Sequence, residues 1–323
     1  MKPKFSVVVP LYNEEEILPE TYRVLTAELS KGSTDFDYEI IFVNDGSQDK
    51  SAERLQTLYS NDPNHIVVVN FTRNFGQVPA MLAGFAQAEG DCVAVISADL
   101  QDPPSLLLEM FKKWKEGHRL VLGIRESRSD NFSDRISSRI AYKLMQKFVN
   151  AAIPEGGFDY FLMDKTLNDI VVKAEERNIY IQGHVLWPGI KPHYLPYTRV
   201  DRKKGQSHWP FSKKIKYLTD GFTAYSSFPI RLMSGIGLGV FSLGIIFLAG
   251  LILQRCFGNP GMPGSPIMIA LFLLGGMQMM MTGIMGEYLW RNFDETRKRP
   301  VYLIDSILSS LSNRSKVSVD LSS

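Results

Sequence analysis

Asp99 and Gln101 carry the first chemistry legible in this chain of 323 residues. They stand two apart in Ser97-Ala98-Asp99-Leu100-Gln101-Asp102-Pro103-Pro104, directly after the apolar run Cys92-Val93-Ala94-Val95-Ile96. If the segment is still extended there, both oxygen-bearing side chains point to one side. Hard oxygen donors placed that way suit Mg²⁺ or Mn²⁺, which keeps several waters and takes its other ligands from a diphosphate. By itself the stretch leaves a second reading open, in which Asp99 is an acidic loop residue and Asp102-Pro103-Pro104 starts the next helix. Other apolar runs are followed by Tyr12 and Glu14, by Asp45, by Arg73 and Gln77, and by Arg125 and Arg128. Together they supply an acidic group for a base or ribose, an oxygen pair for a metal and guanidiniums for phosphate.

Something must bring these loops together, and the order of elements says what. Phe5-Ser6-Val7-Val8-Val9-Pro10, Asp37 to Asn44, Ile66-Val67-Val68-Val69, the Cys92 run and Leu120-Val121-Leu122-Gly123 read as strands. Helical patterns alternate with them, running to about residues 30, 59, 89 and 117. Such alternation predicts an α/β, doubly wound, mostly parallel sheet, in which ligands bind at the carboxyl ends of the strands. No Gly-x-Gly-x-x-Gly follows any strand and no Walker A lysine loop is present, which argues against a dinucleotide dehydrogenase and a P-loop NTPase.

Composition bounds the rest. A net charge of +2 is too small for a nucleic-acid binder, and two cysteines make neither a disulfide framework nor a zinc site. Hydrophobicity is concentrated late in the chain. Leu232 to Leu253 and Pro266 to Gly286 carry no charge, and each run is long enough to cross a hydrocarbon core of about 30 Å. Lys213, Lys214, Lys216 and Arg231 precede the first run, and Arg291, Arg297, Lys298 and Arg299 follow the second. The positive-inside rule then puts the large domain and the tail in the cytoplasm of a multi-pass inner-membrane protein. The expected organisation is a catalytic domain over 1–208, an interfacial helix region over 209–230, two transmembrane helices over 231–254 and 266–287, and a cytoplasmic tail over 291–323. Small-residue spacing at Gly235, Gly237, Gly239, Gly283 and Gly286 suggests a homo-oligomer. The tail through Leu311 reads as interfacial.

Val7-Val8-Val9-Pro10-Leu11-Tyr12-Asn13-Glu14, Val43-Asn44-Asp45-Gly46-Ser47, Arg73-Asn74-Phe75-Gly76 and Ala98-Asp99-Leu100-Gln101-Asp102-Pro103-Pro104, followed by two apolar runs, resemble the family 2 glycosyltransferases of GT-A fold that load sugars onto polyprenyl phosphate. Within them the chain is most similar to the bacterial branch with two C-terminal spans, the bactoprenol glucosyltransferases and the undecaprenyl-phosphate aminoarabinose transferases. Dolichyl-phosphate mannose synthase is a more distant relative. The resemblance implies a GT-A, Rossmann-like catalytic domain and inverting transfer of a sugar, glucose first among the candidates, from a UDP-sugar to undecaprenyl phosphate at the lipid bilayer. It places Pro10, Tyr12 and Glu14 in the nucleoside pocket and Asp45 on the uracil or ribose. Arg73, Gln77, Ser97 and Ala98 would line the donor site, and Asp99 and Gln101 would be the metal ligands. Asp159, in Phe158-Asp159-Tyr160-Phe161-Leu162, is implied as the base.

An acceptor phosphate carries about two negative charges and calls for cations at the rim, where Arg125, Arg128 and Arg202 are candidates with Ser207 and His208 nearby. The chain departs from the family pattern at Ser97, where an acidic residue is usual, at Phe161 in place of Arg and at His208 in place of Lys. Two other readings stay open. A processive polysaccharide synthase would add a Gln-x-x-Arg-Trp motif and more spans, and a non-catalytic membrane scaffold with a decayed site would explain the departures.

Overall fold

The computed structural model describes residues 2–125, 143, 145–146, 150–154, 157–174, 179–199, 235–236, 239, 242, 253 and 265–310. Its strands are β1 (Lys4–Leu11), β2 (Asp37–Asn44), β3 (Ile66–Phe71), β4 (Cys92–Val95), β5 (Leu120–Arg125), β6 (Phe161–Asp164), β7 (His193–Tyr197) and β8 (Ile304–Leu308). They form one sheet in the order β7-β5-β6-β4-β1-β2-β3-β8. Helices α1 (Leu18–Ser30), α2 (Ser51–Asn61), α3 (Gln77–Gln87), α4 (Leu106–Lys115), α5 (Lys165–Lys173) and α6 (Ile181–Leu186) belong to the same unit. A separate unit, 219–299, contains α7 (Ser265–Thr296).

Strands β1 and β2 are almost wholly buried, so their sequences are apolar on both faces rather than alternating. Phe5, Val7, Val9 and Leu11 face a core built with Leu18, Leu25, Leu29, Phe36 and Phe111 from one side of the sheet. Phe36 and Phe111 pack with ring centroids 4.4 Å apart. The opposite face of β1 receives α3, whose small residues allow a close approach. A Cβ on Gly84 would come within 2.2 Å of Val8 Cγ1, so α3 can lie this near the sheet only with glycine there.

The sheet is mostly parallel, as the sequence predicts, with six of its eight strands running one way and two, β6 and β8, running against them. β3, β2, β1 and β4 are parallel neighbours, but β6 runs antiparallel between β4 and β5, and β8 runs antiparallel along β3. Both antiparallel segments are four or five residues long, too short for a pattern of apolar residues to declare a direction. The inversion matters for chemistry. Phe161, the first residue of β6, pairs with Val95, the last of β4, so the residues before β6 arrive at the carboxyl end of β4.

The segment expected as an interfacial tail supplies β8 instead. Its backbone completes the sheet beside β3, which is a more favourable fate for apolar Ile304, Ile307 and Leu308 than exposure. The first expected span, 231–254, and the interfacial region, 209–230, lie almost entirely outside the described residues. The second span falls within α7, a continuous helix of 32 residues. Among the described residues, no helix is long and apolar enough to cross a membrane. A Cβ at Gly235, Gly239, Gly283 or Gly286 would meet nothing within 4 Å.

Candidate active site

Three loops at the carboxyl edge are zipped together by backbone amides and short polar side chains. Asn13, in the left-handed region at φ 54°, donates its N–H to Ser47 Oγ (2.9 Å) and accepts from the Gln48 N–H at Oδ1 (2.8 Å). The Glu14 N–H donates to Ser51 Oγ at 3.0 Å, and the Glu15 N–H to Asp49 Oδ2 at 3.0 Å. Tyr12 and Glu14 are half-buried at this junction, while Pro10 is buried within β1.

Asp45 is only 3% exposed and accepts from two amides, Phe75 N–H at Oδ1 (2.7 Å) and Gly76 N–H at Oδ2 (2.9 Å). Burial pushes its carboxyl above the ordinary carboxylate value, against the pull of those two amides and Arg73. The residue expected to hold a nucleoside thus also fixes the loop after β3. Arg73 is exposed, its guanidinium 4.0 Å from the centroid of Phe75, and Gln77 is exposed at the first turn of α3.

The loops after β2 and β3 touch at Gly46. It has φ +64°, and a Cβ there would lie 2.2 Å from the Arg73 carbonyl carbon. Gly46→Ala therefore forces the two loops apart as well as straining the backbone. A loss of about 1–3 kcal/mol is expected from the strain alone. Urea unfolding checks the stability; an unchanged midpoint would mean the loops yield freely.

At the tip of β4 the chain does not stay extended. Leu100 has φ 55°, and the Gln101 N–H turns back onto Asp99 Oδ1 at 3.2 Å. The expected same-side projection of Asp99 and Gln101 is thus replaced by a turn, because a local side-chain acceptor competes with extended backbone. Ser97 Oγ lies 2.7 Å from Asp99 Oδ1 and 3.1 Å from Asp102 Oδ2, so one hydroxyl links two carboxylates. Ala98 is buried, its carbonyl accepting from Thr21 Oγ1 at 2.7 Å.

The rest of the site comes from strands beyond β4. Tyr197 closes β7 and pairs with Arg125 at the end of β5. Its hydroxyl donates to Asp102 Oδ1 (2.7 Å) and accepts from Arg125 Nε (3.2 Å). Burial and then Asp102 push that hydroxyl well above its ordinary range, so it stays a donor. Arg125 also donates through Nη2 to Asp159 Oδ2 at 3.0 Å. Burial disfavours the guanidinium's charge, but Asp159 and Tyr197 more than compensate and raise its pKa. Arg199 places Nε 3.5 Å from Asp102 Oδ1 and Nη2 3.9 Å from Asp99 Oδ2. Tyr160, fully buried beside Asp159, donates to the Pro103 carbonyl at 3.2 Å and fixes the loop after Asp102.

Asp99, Gln101, Arg125 and Asp159 are therefore brought to one region, whereas Arg128, Arg202, Ser207 and His208 lie outside the described residues. Asp102, Tyr197 and Arg199 had no role in the sequence reading. The i, i+2 spacing of Tyr197 and Arg199 past the apolar Leu195 was the available signal, since residues at that spacing share a side of a strand.

Among the described residues, no group of three or more His, Cys, Asp or Glu could hold a metal ion. A divalent ion here would rest on the Asp99 carboxylate, Gln101 and oxygens of the substrate. That donor set is all hard oxygen and fits Mg²⁺ or Mn²⁺, which needs only one or two protein carboxylates.

Residues 6–171 match Glycosyl transferase family 2. The chain is 36% identical over 306 residues to the prophage bactoprenol glucosyl transferase homolog of Escherichia coli K12, covering 94% of this chain and 99% of that one. It is 35% identical over 305 residues to the bactoprenol glucosyl transferase of Shigella phage SfX, again covering 94% and 99%. The crystal structure of glucosyl-3-phosphoglycerate synthase from Mycobacterium tuberculosis in complex with Mn²⁺, UDP-glucose and phosphoglyceric acid aligns with a TM-score of 0.48 at 17% identity, over 68% of this chain and 78% of that one. With a mixed α/β sheet whose loops gather carboxylates and guanidiniums at one edge, and relatives aligned along nearly their whole length, the chain belongs to glycosyl transferase family 2.

Proposed function

We propose that this protein transfers a single sugar, glucose first among the candidates, from a UDP-sugar to undecaprenyl or another polyprenyl phosphate, with inversion at the anomeric carbon. The observation that carries the reading is the juxtaposition of the Asp99 turn with the Tyr197, Arg125 and Asp159 relay. One side suits a diphosphate donor and the other a second anionic substrate. The full-length similarity to bactoprenol glucosyl transferases supports a lipid phosphate as that substrate.

In this reading the acceptor's phosphate oxygen attacks the anomeric carbon and UDP departs from the opposite face. Asp99 and Gln101 would hold Mg²⁺ or Mn²⁺, which when bound neutralises charge developing on the departing diphosphate. Arg125 and Arg199 are the described cations positioned to receive an anionic group. The acceptor phosphate has a second pKa near about 6 and is already largely dianionic, so no strong base is needed. Asp159, held by Arg125, orients the acceptor and takes any residual proton.

Membrane anchorage belongs to the same proposal: two spans, over 231–254 and 266–287, with the catalytic unit on the cytoplasmic face. Its support is the sequence, uncharged from 232 to 253 and from 266 to 286, with Ile267, Leu271, Met279 and Met280 exposed. Self-association through the small-residue faces follows from the same reading.

The full chain in detergent, supplied with Mg²⁺, a panel of UDP-sugars and undecaprenyl phosphate, is expected to yield a lipid bearing one sugar. A growing polymer would make it a synthase instead. No product with any donor would remove the catalytic reading.

A further inference from the structure

Because β8 runs antiparallel to β3, its amino end lies at the carboxyl edge, where the donor loops are. Two chains of contact lead inward from it. Tyr302 stacks on Phe71 with centroids 5.2 Å apart and planes 10° from parallel, and Phe71 meets Phe75 edge-on at 5.7 Å. Phe75 is the residue whose N–H is held by Asp45 and whose ring lies under Arg73. The Thr72 N–H, at the start of that loop, donates to the Leu303 carbonyl at 3.2 Å.

The second chain is polar. Asn70 Nδ2 donates to Ser306 Oγ (3.1 Å), Asn44 Nδ2 donates to Asn70 Oδ1 (2.9 Å), and the Ser47 N–H donates to Asn44 Oδ1 (3.0 Å). Ser47 Oγ then accepts from Asn13. The loops after β1, β2 and β3 are thus reached from the C-terminal strand, through rings on one path and amides on the other.

We infer that residues 302–306 are a strap that sets the donor pocket, with Tyr302 and Ser306 as positioning residues that never touch substrate. The strand returns only after the long helix α7, so the pocket is completed by chain that has already passed through the second unit. The inference rests on the reading of the 45–47 and 72–77 loops as a donor site.

If β8 merely covered a sheet edge, removing apolar contact at either end would act alike. Leu308, at its far end, pairs with Val68 and packs on the core, so Leu308→Ala serves as the control. The full chain carrying Tyr302→Ala, Tyr302→Phe or Leu308→Ala is followed by hydrogen exchange at the Phe75 and Gly76 amides, by titration with UDP and with GDP, and by steady-state kinetics. Tyr302→Ala is expected to speed exchange at both amides and to weaken nucleotide binding about tenfold, equivalent to about 1.4 kcal/mol. Its kcat at saturating donor should stay within about twofold, since binding common to ground and transition states is what is lost. Tyr302→Phe, which keeps the ring, should restore both readouts, and Leu308→Ala should leave them unmoved. Should Tyr302→Ala fail to fold, Ser306→Ala tests the polar path and is expected to shift exchange in the same direction. Unchanged exchange in the Tyr302 or Ser306 variant, or equal effects from Leu308→Ala, would overturn the strap. Faster exchange in a chain whose unaltered form binds neither nucleotide would uphold the strap and overturn the donor-site reading.

Discussion

Replacing Asp99 by alanine is expected to lower kcat/KM for sugar transfer by about 10³ while shifting the urea midpoint little. The two carboxylates beside Ser97 are built for different work. Asp102 is 2% exposed, with Tyr197 on one oxygen and Ser97 near the other. Its removal strands a buried hydroxyl and leaves Arg199 without its nearest anion, so Asp102→Ala should cost about 1–3 kcal/mol of stability in addition to activity. Asp99 sits further out, in a turn that keeps Leu100 left-handed; local hydrogen bonds join it to Ser97 and to the Gln101 amide, and Arg199 Nη2 stands 3.9 Å away. Losing these local contacts costs little, whereas losing the charge would remove the acidic donor proposed for a divalent ion. Initial rates across a Mg²⁺ titration, set beside urea unfolding of both variants, separate the two roles. An Asp99→Ala chain that turns over normally in EDTA would show that no ion at this turn takes part.

The contrast also explains the departure at Ser97. A carboxylate there would stand within hydrogen-bond reach of two others, and three like charges at that spacing repel strongly unless an ion is bound. Serine instead shares its hydroxyl between Asp99 and Asp102 and spares the turn that repulsion.

What the sequence could reveal followed from local periodicity. β1, β2 and β4 are buried apolar runs that end in polar loops, and the placing of Asp45, Asp99 and Arg125 at strand ends came directly from that pattern. Direction of pairing is not local. Nothing in Phe161-Leu162-Met163-Asp164 says that it runs against β4, and only that inversion carries Asp159 to the same edge as Asp99. Ile304–Leu308 was lost for the same reason, because its partner β3 lies more than two hundred residues earlier. Asp102, Tyr197 and Arg199 were missed because their roles exist only as a set: a buried aspartate after a strand reads as a helix start until a tyrosine from β7 donates to it. The turn at Leu100 was missed because Asp99 supplies its own acceptor to the following amide, a competition that apolar patterning does not register.

Arg125→Met is expected to reduce kcat/KM for the proposed lipid-phosphate acceptor by about 10², because it removes a cation and releases Asp159 in one step. Arg125 is fixed at two points, Nε on the Tyr197 hydroxyl and Nη2 on Asp159. That fork cannot be reproduced by an ammonium, so Arg125→Lys should recover only part of the loss although the charge is kept. Tyr197→Phe should fall between them, since it frees Nε but leaves Asp159 paired. The decisive comparison is the double variant with Asp159→Asn. An exposed ion pair of ordinary worth contributes about 0–1 kcal/mol, and its two single losses would then multiply independently. Asp159 is half exposed, but its partner is largely buried and held by a second hydrogen bond, so the pair should act as one unit. The double variant is therefore expected to be hardly worse than Arg125→Met alone when acceptor concentration is varied at saturating donor. Losses that multiply would place Asp159 outside acceptor positioning and leave Arg125 acting through its charge alone.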